Sequence, residues 1–258
     1  MQHSSALPQI GPYDDAPVLA ALPDLPANPP ADVTDPAIPA YLEQHYWWAY
    51  VRPWAVRVFE RPWLVNLILW GWYAPLRDAA LAALGPLLPG KTIQIACCYG
   101  SLTPMLAERI GRCGGSFDVI DVAPAQLDNL ASKLGHGHRA RLMRRDSTNL
   151  GLPDASYDRA LLFFLMHEQP REARARTLAE AFRVVKPGGK IVIVDFGKPA
   201  WWHPLRYIWL PVLRVLEPFA PDLWRHEIEE WIPAAHKNGI RVKRSFFGGF
   251  YQKIVVQV

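Results

Sequence analysis

Three short segments hold the residue types that a nucleoside-like ligand needs. The first is TIQIACCYGS, Thr92 to Ser101: an apolar strand, a tight turn, then the start of a helix. Gly100 lets the backbone turn there and approach a ligand closely. The second is Asp121, directly after the apolar pair Val119 and Ile120. A carboxylate at that point can accept both hydroxyls of a ribose. The third is Asp146 in RRDSTNLGLPDASYD, where an acid can accept from the exocyclic amine of an adenine. A single strand-end aspartate is more often a cap or turn former. Three such positions at successive strand ends carry more weight, because open α/β sheets bind ligands there.

Other residues invite chemistry of their own. His167 follows the run LLFFLMHEQP and should overlook a reaction centre, or else merely open the next helix. Tyr99 can pack on a ligand or donate a hydrogen bond; equally, it can cover the core. Cys97 and Cys98 suggest a thiolate, but adjacent strand residues face opposite ways, so one is expected in the core and one toward the loop. No base is identifiable beside them, and a free cysteine is commonly a small buried hydrophobe. Cys113 has no evident partner. Asp121, Asp146, His167, Glu168 and Asp195 are oxygen and imidazole donors, yet no spacing among them makes a metal motif.

The elements that must position these residues alternate. Strand-like runs at Thr92–Cys97, Ser116–Ile120, Arg139–Arg144, Arg159–Leu165 and Lys190–Phe196 are separated by helical patterns at Leu102–Ile110, Pro124–Lys133 and Glu172–Val185. The segment KPGG, Lys186 to Gly189, reads as a turn that stops the last helix. Such alternation implies βαβ units and a parallel sheet. A helix is expected after Asp222 as N-cap, ending at Gly239. Arg241–Phe247 and Tyr251–Val258 flank two glycines and should close the sheet as an antiparallel hairpin. The fold class is therefore α/β: a Rossmann-like, mostly parallel seven-stranded sheet with helices on both faces.

Composition divides the 258 residues further. Residues 1–36 are rich in Pro, Ala and Asp without periodicity, and are expected to be a disordered tail. Residues 37–258 should form one domain, with an aromatic helical cap over 37–88, where Pro53, Pro62 and Pro75 begin or break helices. The first base is Arg52, and the remainder holds all 28 Lys and Arg against 18 acids. That surplus suits an anionic membrane surface or an anionic partner, whereas nothing reads as a nucleic-acid motif. No apolar stretch is long enough to span a bilayer, and the N-terminus has neither a signal-peptide nor a transit-peptide pattern. The expectation is a cytoplasmic protein, peripheral on the inner membrane face. The tryptophans of residues 47–72 and of PAWWHPLRYIWLPVLRVLEPF either pack over the sheet or dock at the headgroup layer, with Arg206 and Arg214 near one helical face. Oligomeric state is not readable.

The segments DSTNLGLPDASYDRALLFF and FRVVKPGGKIVIVDFGKP resemble the class I S-adenosylmethionine-dependent methyltransferases, especially the quinone C-methyltransferases. This resemblance implies S-adenosylmethionine over Gly100, Asp121 and Val122 on its ribose, and Asp146 and Ser147 near its adenine. The first loop departs from that family: Gln94, Ala96 and Cys98 replace the acid and two glycines. With YWWAYVRPWAV, RPWLVNLILWG and CCYGSLTPMLA, the altered loop is similar to a narrower group, the rhodoquinone biosynthesis proteins. That narrower resemblance implies ubiquinone as acceptor, replacement of a ring methoxy group by an amine from S-adenosylmethionine, and manganese (Mn2+) as metal. On that reading Gln94, Tyr99 and His167 take part in catalysis, and Gln94 eases deprotonation of the donor amine by removing a negative charge. The alternatives are a quinone C- or O-methyltransferase and a non-catalytic lipid-binding subunit of a quinone-synthesis assembly.

Overall fold

The computed structural model describes residues 36–135 and 140–258. The tail expected over 1–36 lies outside the described residues, save Pro36. Four short helices come first: α1 (Ala40–His45), α2 (Pro53–Phe59), α3 (Pro62–Ile68) and α4 (Tyr73–Leu84), with a π-helical turn at Trp47–Val51 between the first two. Pro53 and Pro62 each occupy the first helical turn, where the missing N–H costs nothing. The alternating part follows as β1 (Lys91–Ile95), α5 (Leu102–Arg112), β2 (Ser116–Asp121), α6 (Pro124–Leu134), β3 (Ala140–Arg144), β4 (Tyr157–Phe163), α7 (Arg171–Val184), β5 (Val185–Phe196), α8 (Leu205–Leu216), β6 (Ile240–Phe246) and β7 (Tyr251–Gln257).

These strands make a seven-stranded sheet in the order β3-β2-β1-β4-β5-β7-β6. The first five are parallel; β7 pairs antiparallel with both β5 and β6. The expected architecture is thus the observed one, closing hairpin included. Gly248 and Gly249 make its turn at φ 60° and 96°. The central strands read as continuous apolar runs because helices cover both faces. Ile93 and Ile95 of β1, Leu161 and Leu162 of β4, and Val192 and Val194 of β5 are all fully buried. The chain order reverses at β1, whose neighbours are β2 and β4, so a crevice opens at the carboxyl ends of these strands.

Two local expectations are corrected. The helix after Asp222 is absent; the segment instead makes three 3-10 turns, at Ala220–Trp224, Ile228–Trp231 and Ala234–Gly239. Pro233 would interrupt any helix running on to Gly239. The Asp222 carboxylate caps nothing, because Arg171 and Arg174 hold it at 2.7 and 2.6 Å. The KPGG segment likewise becomes the irregular first part of β5 rather than a separate turn, with the register against β4 shifting between Tyr157 and Arg159.

Candidate functional site

Two cavities meet at the carboxyl edge of the sheet. One is a narrow cleft of about 50 Å³ above β1, β2 and the segment after β3. Ala96, Asp121, Val122, Asp146 and Ser147 all line it, so folding brings five of the sequence-identified residues together. Tyr41 and Leu42 of α1 form its lip. The other, of about 320 Å³, is apolar and lies between the helical cap, the ends of β4 and β5, and α8. Tyr99, His167, Cys97 and Cys98 line this larger cavity. Tyr50, Cys97, Gln126 and Glu168 line both, and so mark where the two join.

The cleft presents acceptors in the order a nucleoside requires. Asp121 takes the N–H groups of Cys97 and Ala123, one on each carboxylate oxygen, both at 2.8 Å. Each oxygen keeps a lone pair for a ribose hydroxyl. Burial pushes the Asp121 carboxyl up to about 6, against the backbone N–H groups of Ala123 and Cys97, which favour the charged form. Asp146 folds back on Thr148, taking its N–H and its hydroxyl at 2.8 Å with Oδ1. Ser147 Oγ sits with Thr177 and Gln169. Gln169 donates to Ser147 and Thr177, while its buried Oε1 has no partner and lines the same cleft. That orphaned acceptor fits an adenine amine, so the acceptor set suits the adenosyl group of S-adenosylmethionine. Gln169 has no signal in the sequence, because a glutamine before a proline carries no motif.

The loop after β1 is held from within. Gln94 is fully buried, donates to the Ala96 carbonyl at 3.0 Å, and accepts from Thr103 Oγ1 at 3.0 Å. Its amide is therefore spent on the loop and lines neither cavity. Ala96 sits at φ 70°, a left-handed conformation that costs an L-residue about 1–2 kcal/mol. This alanine thus adopts the conformation that a glycine would take. Gly100, at φ 81°, is needed for another reason: an added Cβ would lie 2.4 Å from the Tyr73 hydroxyl. What closely approaches Gly100 is Tyr73 of α4, and its N–H goes to Glu60 at 2.9 Å. Glu60 also accepts from Asn129 and pairs with Lys133 at 3.0 Å, which ties α2 to the loop and α6. Tyr99 stacks between Tyr50 and Phe59, donates to the Ala49 carbonyl at 2.6 Å, and accepts from Gln126 at 2.9 Å.

Both cysteines lie beyond β1, so strand alternation does not govern them, and both face the larger cavity. Burial raises both thiols above the ordinary cysteine value, and Asp121 adds to the effect at Cys97. Neither is a thiolate near neutral pH.

The floor of the larger cavity is acid–base chemistry in an apolar setting. Phe164, at the end of β4, is held at φ 55°, an outlier for a bulky residue, with its ring edge-on to His167 at 5.8 Å. The next turn carries His167 and Glu168 and is pinned from two sides. Asp195 of β5 accepts the Met166 N–H at 2.7 Å, and the fully buried Arg174 donates to the Met166 carbonyl at 2.7 Å. His167 Nδ1 meets Asp195 Oδ1 at 2.9 Å. His167 Nε2 lies 3.9 Å from both Glu168 and Glu217. Burial alone would lower the His167 pKa; Asp195 foremost, then Glu217 and Glu168, overrides it and raises the value to about 9. Burial raises Glu168 to about 8, with Glu217 and Asp121 adding to the effect and His167 opposing it. Burial raises Glu217 to about 7, again opposed by His167. Glu217 and the Tyr46 hydroxyl are buried there facing one another, and that interaction also opposes the rise at Glu217. Glu217 is equally unmarked in the sequence; it ends α8, and only packing carries it to His167.

The candidate metal donors are not gathered. Among the described residues no three His, Cys, Asp or Glu side chains are grouped to hold an ion. His167 Nδ1 is engaged by Asp195, while Asp121 and Asp146 lie in the other cavity. The expected manganese therefore finds no fitting ligand set.

Comparison with known proteins agrees with this geometry. Residues 93–189 match the methyltransferase-domain family. The chain is 28% identical over 164 residues to a demethylmenaquinone methyltransferase of Tropheryma whipplei (strain Twist), covering 60% of this chain and 65% of that one. It is 31% identical over 121 residues to the ubiquinone/menaquinone biosynthesis C-methyltransferase UbiE of Burkholderia mallei, covering 45% and 46%. Less than two thirds of each relative's length is thus spanned. An O-methyltransferase family protein from Burkholderia thailandensis has a similar structure, with a TM-score of 0.55 at 17% identity over 75% of this chain and 58% of that one. The fold is that of the class I S-adenosylmethionine-dependent methyltransferases.

Proposed function

We propose that this protein is an S-adenosylmethionine-dependent transferase acting on the ring of a lipid-soluble quinone or quinol. Methyl transfer to the ring is the reading that the relatives' names favour. The observation that carries it is the junction of the two cavities: a cleft with nucleoside acceptors opens, at Glu168 and Cys97, on an apolar chamber with an ionisable floor.

The bound cofactor supplies an electrophilic methyl group. Asp121 accepts from the ribose, and Asp146 with Gln169 Oε1 accepts from the adenine amine. The aromatic walls, Phe163, Phe164 and Phe196 among them, exclude water from the ring. His167, kept protonated by Asp195, offers Nε2–H and a positive charge to an oxygen of the quinol as it becomes an anion. A ring carbon that takes a methyl group must release its proton, and the Glu168 carboxylate at the junction accepts it. A base with a pKa near the working pH suits that task.

A second reading, amine transfer to ubiquinone in place of a methoxy group, is favoured by the loop. Gln94 removes the strand acid, and Glu60 beside Gly100 is neutralised by Lys133. A donor amine near this loop meets no unpaired loop carboxylate, which favours its neutral, nucleophilic form. One measurement separates the readings. Purified protein is incubated with S-adenosylmethionine and either ubiquinone or a ring-unsubstituted quinol, and product mass is taken. A gain of one methylene supports methyl transfer; loss of a methoxy group with gain of an amine supports the second reading. No mass change, together with no binding of S-adenosylhomocysteine, sinks both.

The ionisable floor also sets an expected pH profile for kcat/KM. The rate should rise as Glu168 loses its proton near pH 8 and fall as His167 loses its own near pH 9. Charged Glu217 raises both values, so Glu217→Gln should move both limbs toward acid. A profile that stays in place would remove Glu217 from the electrostatics of the site.

A further inference from the structure

The two helices that wall the larger cavity are apolar on their outer faces as well. In α8, Trp209, Val212, Leu213 and Leu216 face the cavity at helical spacing. Ile208, Pro211 and Val215 face outward at the same spacing, and Val215 is 78% exposed. In α3, Leu64, Val65 and Ile68 face the cavity while Trp63 and Leu67 stand in solvent. Trp70, two residues past the end of α3, packs edge-on to Trp209 of α8 at 5.2 Å. The loop before α8 adds Trp201, 75% exposed, and Trp202. Eleven of the fourteen exposed large apolar side chains among the described residues lie in Trp47–Trp70 or Trp201–Leu216. A helix that is apolar all round is normally covered.

Charge says what covers it. Arg52, Arg57, Arg61, Lys198 and Arg214 are exposed around these helices and have no ion pair with a described residue. Residues 197–216 contain no acid, and Glu60, the only acid in 46–72, is paired inward with Lys133. Arg206 is turned inward, donating to the Pro199 carbonyl and lying over Trp224, so it does not share the outer face of Arg214 as the sequence spacing suggests. No helix among the described residues is long and apolar enough to cross a membrane. Aromatic and aliphatic side chains ringed by unpaired bases match an in-plane seat at an anionic headgroup layer.

We propose that the outer faces of α3 and α8, with the Trp201–Trp202 loop, dock on an anionic bilayer, so that the apolar cavity between these helices opens into the lipid. A hydrophobic acceptor then enters sideways from the membrane without crossing water. The docking surface rests on exposure and charge alone, and stands whichever group the cavity transfers.

Flotation with vesicles of equal parts phosphatidylcholine and phosphatidylglycerol tests this. Wild-type protein should float, and added salt should weaken the association. The double variant Ile208→Glu, Val215→Glu should float at least about tenfold less. Leu87→Glu, an exposed apolar residue on another surface, should float as wild type does. Trp201→Ala with Trp202→Ala tests the same face while leaving α8 unaltered, and should also weaken flotation. S-adenosylhomocysteine binding by the Ile208→Glu, Val215→Glu protein should equal that of wild type, which separates a failed surface from a failed active-site reading. Wild type that stays unbound, or variants that float equally well, overturn the proposal. So does a wild-type dimer that the double variant turns into monomer without any lipid binding, since the face would then join two copies.

Discussion

Asp195→Asn is expected to destabilise the protein by about 3–5 kcal/mol, the usual cost of stripping one partner from a buried ion pair. Asp195 is fully buried and serves three donors: the Met166 N–H, the Phe196 N–H and His167 Nδ1. An asparagine offers one acceptor and turns an N–H₂ toward groups that are themselves donors. The sign of the pH effect follows. In the native protein His167 is raised above its unfolded value, so its contribution to stability is full below about pH 6.5 and is lost as pH rises through about 9. In the variant, burial acts unopposed by Asp195, and His167 should titrate well below its native value. Denaturant unfolding at pH 6 and pH 9 checks the first point, and NMR titration of the imidazole the second. A variant as stable as wild type, with an unmoved His167, would show that the 166–168 turn does not hang on Asp195.

Asp121→Ala is expected to raise the dissociation constant for S-adenosylhomocysteine about 100-fold. Two hydrogen bonds from ribose hydroxyls to a carboxylate are together worth about 3 kcal/mol, counted at the low end. The same carboxylate anchors the N–H groups of Cys97 and Ala123, so some stability will go as well. Wild-type pH dependence isolates the ligand effect without mutation. The ionised carboxylate is the acceptor and titrates near 6, so calorimetric affinity should weaken as pH falls through that value. Constant affinity from pH 7.5 to 5, with the protein still folded, would place the ribose elsewhere.

Much of the cleft is legible in the sequence, for a definable reason. The strand-like runs that end at Ile95, Ile120 and Arg144 fix where a parallel sheet presents its carboxyl edge, and whatever follows each run must face the crevice. Asp121, Val122, Asp146 and Ser147 therefore arrive together almost irrespective of how the helices pack. Gln94 shows the limit of that reasoning. Its position in the strand is readable, yet its amide turns to Thr103 and Ala96, because a buried polar group must find partners nearby. Gly100 shows another: its need for no side chain is set by Tyr73, 27 positions earlier in the chain.

The α/β alternation, the closing hairpin and the acids of the cofactor cleft follow from residue order alone. They depend on the local periodicity of burial, which each segment carries within itself. The acceptor chamber exists only once the chain has packed. Glu217 reaches His167 across 50 positions, Arg174 locks to Asp222 across 48, and Glu60 reaches Gly100 across 40. Neither member of such a pair carries a mark of the other in its local pattern. Their charges are written in the chain, but their proton affinities are not, because those come from the burial and neighbours that packing creates.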